Sequence, residues 1–206
     1  MVDKKHIIAF LGIAGSGKGT QSQLLSVFLS CNRFDIGQSL RMSTNGRSNA
    51  PVNTGDLVSS DTIKLVVKKF VEIQDMNDNC ILDGIPRTKN QVEILESYGC
   101  LPTIAFLLDL PEEVALERLR NRYVDPNTGI SYQGRAAGLS RRADDNDTIA
   151  IQKRFTTFHD NYPSIEIVLK DHGCRIKSID ANMSSDKIFN QITSFINSSD
   201  IELGSC

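Results

Sequence analysis

Short apolar runs recur along the chain and alternate with stretches in which apolar residues return every three to four positions. The apolar runs predict β-strands at 6–11, 80–82, 103–108 and 174–179. The helical spacing predicts helices over 20–29, 61–71, 111–119, 148–158 and 185–196. Strands separated by helices are typical of βαβ units. The pattern therefore predicts an α/β fold whose parallel sheet is covered by helices on both faces.

Two segments interrupt this alternation. Residues 42–55 collect Ser, Thr, Asn, Gly and Pro51, which is typical of irregular backbone or a short mobile insert. Residues 123–139 contain Pro126 and three glycines and are long for a simple connection. We therefore expect the second segment to form a functional flap.

A glycine-rich run, Gly-Ile-Ala-Gly-Ser-Gly-Lys-Gly-Thr at 12–20, lies between the first predicted strand and the first predicted helix. Glycines let the backbone N–H groups converge on phosphate oxygens, the helix N-terminus adds positive potential, and Lys18 reaches the outer phosphates. The general pattern has Ser or Thr directly after the lysine, whereas here Gly19 precedes Thr20. A chance Gly/Ser-rich turn is the alternative, but the apolar flanks favour a loop that binds a nucleoside triphosphate.

Six arginines and no lysine fall between positions 118 and 142, with Asp125 as the one acid in that window. Planar guanidinium groups suit bidentate recognition of phosphate, which lysine does not provide. A solvated basic helix end is the alternative explanation. Together with the glycine-rich run, the window indicates a second group of phosphate contacts.

Asp83 follows the apolar strand predicted at 80–82. A carboxylate at the carboxyl end of a strand beside a phosphate loop can hold magnesium, directly or through water. Asp-Gly is also a common turn signal, so the position gains weight from the preceding phosphate loop. We predict that Asp83 is the magnesium-associated residue.

Composition excludes several other classes of protein. The 206 residues are 40% hydrophobic, enough for one domain, and their net charge of -2 provides no basic surface for nucleic acid. No apolar stretch approaches the roughly 18 residues of a membrane span. Five scattered cysteines form no C-x-x-C pair, which argues against a disulfide framework or a thiolate zinc site. The N-terminus runs directly into the first strand, so we expect a cytoplasmic protein.

Four motifs occur in order: G-x-x-G-x-G-K-G-T at 12–20, G-x-x-L-R at 37–41, L-D-G-x-P-R-T-x-x-Q at 82–91, and R-x-D-D at 142–145. Their combination resembles the adenylate kinases, which are nucleoside monophosphate kinases. The resemblance implies a P-loop three-layer fold with a five-stranded parallel sheet, in one domain over 1–206. It also implies a monophosphate-binding insert at 35–58, a lid insert at 121–145, and a monomer. The implied activity is reversible, magnesium-dependent transfer of a phosphoryl group from ATP to AMP, giving two ADP.

The resemblance also implies roles for individual residues in this sequence. The implied catalytic residues are Lys18, Arg87, Arg122, Arg142 and Arg154. The implied ATP contacts are Gly15, Ser16, Gly17, Lys18, Gly19, Thr20, Arg118, Arg122, Ser131, Tyr132 and Met183. The implied AMP contacts are Ile36, Arg41, Asp56, Leu57, Val58, Gly84, Ile85, Pro86, Arg87, Gln91, Arg142 and Arg154.

The sequence departs from the family pattern in ways that leave alternatives open. Ile36 stands where adenylate kinases usually have a Ser or Thr that contacts the AMP base, so a kinase of the same fold that uses UMP, CMP or several acceptors is the first alternative. Gln91 still favours AMP. A non-catalytic P-loop nucleotide sensor is the second alternative. Arg141 could replace Arg142 as the phosphate contact of the lid. We expect magnesium with ATP. The lid lacks the four-cysteine pattern of zinc-bearing lids, so we expect no zinc.

Overall fold

A computed structural model describes residues 6–43, 56–74, 78–126, 128 and 130–198. Five strands form a parallel sheet in the order β2-β3-β1-β4-β7, and two more form a separate antiparallel pair, β5-β6. The strands are β1 Ile7–Leu11, β2 Asn32–Asp35, β3 Cys80–Asp83, β4 Ile104–Asp109, β5 Arg122–Val124, β6 Ser131–Gln133 and β7 Arg175–Asp180. The predicted α/β class and the five-stranded parallel sheet are confirmed.

Helices connect and cover the strands of the parallel sheet. They are α1 Lys18–Phe28, α2 Ile36–Ser43, α3 Ser60–Ile73, α4 Lys89–Ser97, α5 Glu112–Arg120, α6 Ala143–Asn146, α7 Thr148–Asp171 and α8 Ser185–Ser198. The periodicity located α1, α3, α5, the start of α7, and α8. It missed β2, β5, β6, α2, α4 and α6. It also ended α7 too early, because the helix continues through Pro163 to Asp171.

The sheet has an apolar core on each face. Along β1, Ile7, Ala9 and Leu11 join one buried cluster, whereas Ile8 and Phe10 join the other. Successive strand residues point to opposite faces, so this division shows a sheet that is covered on both sides. The three-layer arrangement leaves the carboxyl ends of the strands as the place where loops can meet a ligand.

Local geometry marks two helix boundaries. Pro111 is the N-cap of α5, where its fixed φ of -58° suits a helix start. Gly173 follows the C-cap His172 of α7 and has a φ of +79°, a conformation that glycine adopts without steric strain.

The two irregular segments differ in how much of them the structure describes. In the segment predicted as a flap, β5 and β6 pair antiparallel, and Val124 also bridges to Ser140; residues 127 and 129 lie outside the described residues. Most of the other insert, 44–55, also lies outside them. Within the described ranges, no helix combines the length and apolar character needed to cross a membrane.

Candidate active site

A cavity of about 410 Å³ opens at the carboxyl ends of β1, β2 and β3. Its volume lies in the range of small-molecule sites. It brings together residues from the glycine-rich loop, α2, the β3–α4 connection, the β5–β6 pair and α7. The predicted site residues that line it are Gly15, Gly17, Lys18, Gly19, Thr20, Ile36, Arg41, Asp56, Leu57, Val58, Asp83, Gly84, Arg87, Gln91, Arg118, Arg122, Ser131, Tyr132, Arg142 and Arg154.

The glycine-rich loop depends on backbone conformations and close contacts that other residues would not tolerate. Gly12, Gly15 and Gly17 have φ of +138°, +85° and +99°. A Cβ at Gly15 would lie 2.8 Å from the carbonyl oxygen of Ala115 on α5. The loop is therefore held tightly between β1 and α5, with Gly17 as the N-cap of α1.

Lys18 lies in the first turn of α1 and folds back over the loop. Its Nζ donates hydrogen bonds to the carbonyl oxygens of Gly12 and Ile13, both at 2.7 Å. Burial lowers the pKa of Lys18 to about 7, repulsion from nearby arginines adds to that shift, and Asp83 opposes it. An ammonium desolvated in this way gains most from an anion placed beside it.

Asp83 ends β3 and is buried beside the start of α1. Ser22 Oγ donates a hydrogen bond of 2.8 Å to Asp83 Oδ2. Burial and the negative charge of Asp35 raise the pKa of Asp83, while Arg33, Ser22 and Lys18 oppose the shift. No described residue donates a hydrogen bond to Oδ1, although Asp83 lines the cavity. A carboxylate with one oxygen anchored and one open fits a magnesium-bound water.

A network of arginines and two buried carboxylates forms the far wall of the cavity. Arg122 pairs bidentately with Asp145, through Nε–Oδ2 and Nη2–Oδ1 contacts of 2.7 Å each. Arg142 pairs bidentately with Asp144, at 3.0 and 2.6 Å. Arg154 donates to both carboxylates, at 2.8 and 2.9 Å. Two acids therefore orient three guanidinium groups, which fixes their direction before any ligand arrives.

The electrostatics of this wall favour an anionic ligand. Burial opposes the charge on Arg142, but Asp144 and Asp145 outweigh it and raise the pKa of Arg142. Burial and repulsion from Arg142 instead lower the pKa of Arg41 and of Arg122 to about 10 each. Eight lysine and arginine residues line the cavity against four aspartates. Among the described residues, the cavity thus carries positive charge that its own carboxylates do not balance.

The connection from β3 to α4 places Arg87 and Gln91 side by side. Thr88 caps α4 by accepting from the Gln91 N–H, and Gln91 Oε1 accepts from the Arg87 N–H at 2.7 Å. Arg87 Nε donates to the carbonyl oxygen of Gly84 at 2.8 Å. The cavity walls desolvate the Arg87 guanidinium and Arg142 and Arg154 repel it, so its pKa is lowered. With Oε1 engaged, the Gln91 amide N–H₂ is the group left to read a ligand.

Comparisons with known proteins agree with this geometry. The family model described as "Adenylate kinase" matches residues 10–172. A protein named adenylate kinase from Wolbachia sp. subsp. Drosophila simulans (strain wRi) is 30% identical over 212 residues, which cover 92% of this chain and 97% of that protein. An adenylate kinase from Thermosipho melanesiensis is 28% identical, covering 92% and 98%. A chloroplastic adenylate kinase from Zea mays is 30% identical, covering 91% and 90%.

The chain belongs to the adenylate kinase family. It is therefore an enzyme, an ATP:AMP phosphotransferase, and the resemblance read from the four motifs is confirmed.

Some residues implied by the adenylate kinase motifs do not line the cavity. Ser16, Ile85 and Pro86 are buried, and Met183 is partly buried and packs against the core cluster that includes Ile188 of α8. Their proposed ligand contacts stay predictions. Arg118, which does line the cavity, donates through Nη2 to the carbonyl oxygen of Ala181 at 2.9 Å and so connects α5 to the loop that contains Met183.

The structure distinguishes the two adjacent arginines of the R-x-D-D motif by position. Arg142 lines the cavity, whereas Arg141 donates to the backbone oxygen of Asp145 at 3.1 Å and is not among the lining residues described. Arg154, whose spacing departs from the usual motif, also lines the cavity. The placement favours Arg142 for the role that the sequence left open.

Several residues of this adenylate kinase site were not singled out from the sequence. They are Ser22, Arg33, Asp35, Asp144 and Asp145. Asp144 and Asp145 were part of a quoted motif, so their proximity to arginine was a usable signal. The alternation of Arg33 and Asp35 would place both on one strand face, but the strand itself was not recognised.

Proposed function

We propose that this enzyme transfers the terminal phosphoryl group of ATP to AMP through two nucleotide subsites within the one cavity. The observation that carries the proposal is the continuity of that cavity from the glycine-rich loop to Arg87 and Gln91. A single triphosphate would not require a second set of phosphate-binding arginines beside a base-reading amide. Two subsites that meet at a cluster of cations match a reaction between two polyanions.

On the donor side, the loop N–H groups from Gly15 to Thr20 would hold the ATP phosphates at the start of α1. Lys18 would leave its carbonyl partners and bind the outer phosphates. Asp83 would hold magnesium through its bound water, and the metal would neutralise charge on the transferred phosphoryl group. Ser131 and Tyr132 on β6, with Arg118 on α5, would border the adenosine.

On the acceptor side, the phosphate of AMP would bind Arg41, Arg87 and Arg142, with Arg154 behind them. The donor amide of Gln91 would read the adenine edge, because Gln91 Oε1 already accepts from Arg87. Ile36, Leu57 and Val58 supply apolar surface for the base. Lining residues from α2 and from the residues before α3 thus add apolar surface beside the arginines in this half of the cavity.

The chemistry needs no general base, because the phosphate of AMP already carries nucleophilic oxygens. The main barrier is the repulsion between the two nucleotides. Lys18, Arg87, Arg122, Arg142 and Arg154 would offset that repulsion and hold the attacking and leaving oxygens in line with phosphorus. Catalysis is then positioning and charge neutralisation, which the pairing with Asp144 and Asp145 prepares in advance.

Contacts that join residues of the proposed inserts to each other and to α7 support closure over the site, which would exclude water. Gln38 Nε2 on α2 donates to the carbonyl oxygen of Thr128 at 3.2 Å, and Lys153 on α7 forms an ion pair with Asp56. We propose that the inserts at 35–58 and 121–145 close over the two nucleotides. Exclusion of water would prevent hydrolysis of ATP in place of transfer.

The sequence alone left two alternatives, and each predicts a result that differs from that of ATP:AMP transfer. A kinase of this fold with another acceptor would phosphorylate UMP or CMP faster than AMP at equal concentration in a coupled assay. A nucleotide sensor would bind ATP without transfer and would show no second subsite. The polar Gln91 beside Arg87 favours AMP, and the arginines on the acceptor side favour transfer over sensing.

Thermal stabilisation by two adenosines joined through five phosphates tests the two-subsite arrangement. That compound should raise the melting temperature well beyond ATP alone at the same concentration, because it fills both halves of the cavity. Stabilisation no greater than that by ATP would contradict the proposal.

We further propose that the enzyme acts as a cytoplasmic monomer whose partners are ATP, AMP and ADP. The net charge of -2 offers no attraction for nucleic acid, and the expectation of no zinc rests on the lack of a four-cysteine pattern in the lid segment. Light scattering of the purified protein would test the monomeric state.

A further inference from the structure

Arg33 lies on β2 next to the proposed magnesium residue. The strand register pairs Asp35 with Asp83 and Arg33 with Ile81. Arg33 and Asp35 are two positions apart and therefore share a face of the sheet. Ile81 on that face packs in one cluster with Leu25 of α1, so the face is the one covered by α1. The sequence thus places a guanidinium between two strand-end carboxylates.

The Arg33 side chain contacts both carboxylates and the start of α1. Its Nη2 donates to Asp35 Oδ2 at 2.8 Å, and its Nη1 lies 3.7 Å from Asp83 Oδ2. Nη1 also donates to the carbonyl oxygen of Gly19 at 3.1 Å and to Ser22 Oγ at 3.3 Å. Only 15% of the side chain is exposed. The guanidinium is therefore fixed by four oxygens rather than solvated.

Charge at this end of the sheet depends on Arg33. Without it, Asp35 and Asp83 would present two negative charges, and paired carboxylates attract divalent cations. With it, the three side chains carry one net negative charge. A cation at ion-pair distance from Asp83 opposes the approach of a metal ion more strongly here than in water, because the group is largely buried.

We propose that Arg33 is a positioning residue of the magnesium site. Acting through Asp35 and Asp83, it offsets one carboxylate charge, so that the nucleotide-free protein holds a divalent cation weakly and the metal enters with ATP. The triphosphate supplies negative charge for the metal in place of the carboxylate charge that Arg33 offsets. This inference rests on the proposed assignment of Asp83 to magnesium and adds a residue that governs when the metal binds.

Binding of Mn²⁺ to the nucleotide-free protein, followed by the electron paramagnetic resonance signal of free Mn²⁺, tests the inference. Arg33→Gln should bind Mn²⁺ about tenfold more tightly than the unaltered protein, because the offsetting charge is lost. Arg33→Lys keeps the charge and should bind as weakly as the unaltered protein. The double variant Arg33→Gln, Asp35→Asn restores the net charge and should return to that weak binding. Unchanged or weaker binding by Arg33→Gln would overturn the inference.

Asp35→Asn provides an independent test if Arg33→Gln does not fold. It leaves Arg33 to neutralise Asp83 alone, so Mn²⁺ affinity of the complex with a non-hydrolysable ATP analogue should fall about tenfold. Unchanged affinity would count against the inference.

Asp83→Asn in the same complex separates the two proposals. If it leaves Mn²⁺ affinity unchanged, the metal assignment of Asp83 fails; if it weakens binding while the Arg33 and Asp35 variants do not behave as expected, only the role of Arg33 fails.

Discussion

Arg122 and Asp145 form a bidentate ion pair, with both nitrogen–oxygen distances at 2.7 Å, and the Asp145 side chain is fully buried. Asp145 also accepts from Arg154 at 2.9 Å. Two guanidinium groups that line the cavity therefore take their direction from a carboxylate that does not line it. Loss of one negative charge here would remove the carboxylate partner of Arg122 and leave Arg154 with Asp144 alone.

Asp145→Asn should lower both stability and turnover. Breaking a buried charge pair from one side costs about 3 kcal/mol of unfolding free energy, whereas loss of an exposed pair costs under about 1 kcal/mol. Glu72→Gln, which removes the exposed contact with Lys68, is the matched control. Turnover should fall about tenfold or more as Arg122 loses its orientation, since each 1.4 kcal/mol of barrier is a factor of about ten. Urea unfolding and a coupled assay measure the two effects, and equal stability losses in both variants would contradict this reading.

Arg87→Ala should impair the acceptor subsite more than ATP binding. A charge-assisted hydrogen bond to phosphate contributes about 1.5–3 kcal/mol, so the Michaelis constant for AMP should rise roughly tenfold to a hundredfold. Arg87→Lys keeps the charge without the planar fork, so its Michaelis constant for AMP should lie between those of the unaltered enzyme and Arg87→Ala. Arg120 lies exposed on α5 away from the cavity, and Arg120→Ala is the control for loss of an arginine. An unchanged Michaelis constant for AMP together with unchanged turnover would remove Arg87 from the acceptor subsite.

The parts of the site that the sequence predicted are those encoded within a few neighbouring residues. The phosphate loop was recognisable because strand, glycines, Lys18 and helix follow one another without interruption. Asp83 was recognisable because it directly follows an apolar strand. The five predicted helical patterns likewise reflect local periodicity, because each starts within two residues of an observed helix, and Pro111 marks one of these starts.

What the sequence did not predict depends on contacts between distant segments or on short elements. β2 has four residues, and only Phe34 among them is buried, so no apolar run marks the strand. Asp145 meets Arg122 across 23 positions, because the chain passes through β5 and β6 and then returns at α6. Arg142 lines the cavity and Arg141 is not among the described residues that line it, which favours Arg142, whose phosphate contact stays a prediction. Adjacent arginines look alike in a sequence, so only tertiary contacts distinguish them.

The lowered pKa of Lys18 predicts proton uptake on ATP binding. In the nucleotide-free protein the ammonium loses its proton near pH 7, whereas a bound triphosphate would hold it charged. Above pH 7, binding must therefore restore a proton, and the dissociation constant for ATP should rise by about tenfold per pH unit until the bound group titrates. Below pH 7 both states are charged and this contribution to the pH dependence disappears.

Calorimetry at pH 8 in two buffers of different ionisation enthalpy measures that uptake directly. Lys18→Met should bind ATP without it, should show a flatter pH dependence, and should lose nearly all turnover while retaining the fold. Equal buffer dependence of ATP binding in both proteins would refute the assignment.

The same lowered pKa has a consequence for folding. An unfolded lysine titrates near 10.5, so between pH 7 and 10.5 the unfolded state binds more protons than the folded state, and the contribution of Lys18 to stability rises with pH.

Gly15 and Gly134 separate backbone strain from steric contact, because they share a left-handed conformation in different surroundings. Their φ values are +85° and +88°, yet a Cβ would meet Ala115 O at 2.8 Å at Gly15 and would meet nothing within 4 Å at Gly134. Gly134→Ala should therefore lose about 1 kcal/mol of stability, from the conformation alone. Gly15→Ala must also move the loop away from α5, so its stability loss should be larger. Its ATP affinity should be at least about tenfold lower, since the loop N–H groups no longer converge.

Urea unfolding and ATP titration of both variants provide the comparison. Equal stability losses would mean that the loop can shift freely against Ala115, and the tight seating of the phosphate loop on α5 would then be wrong.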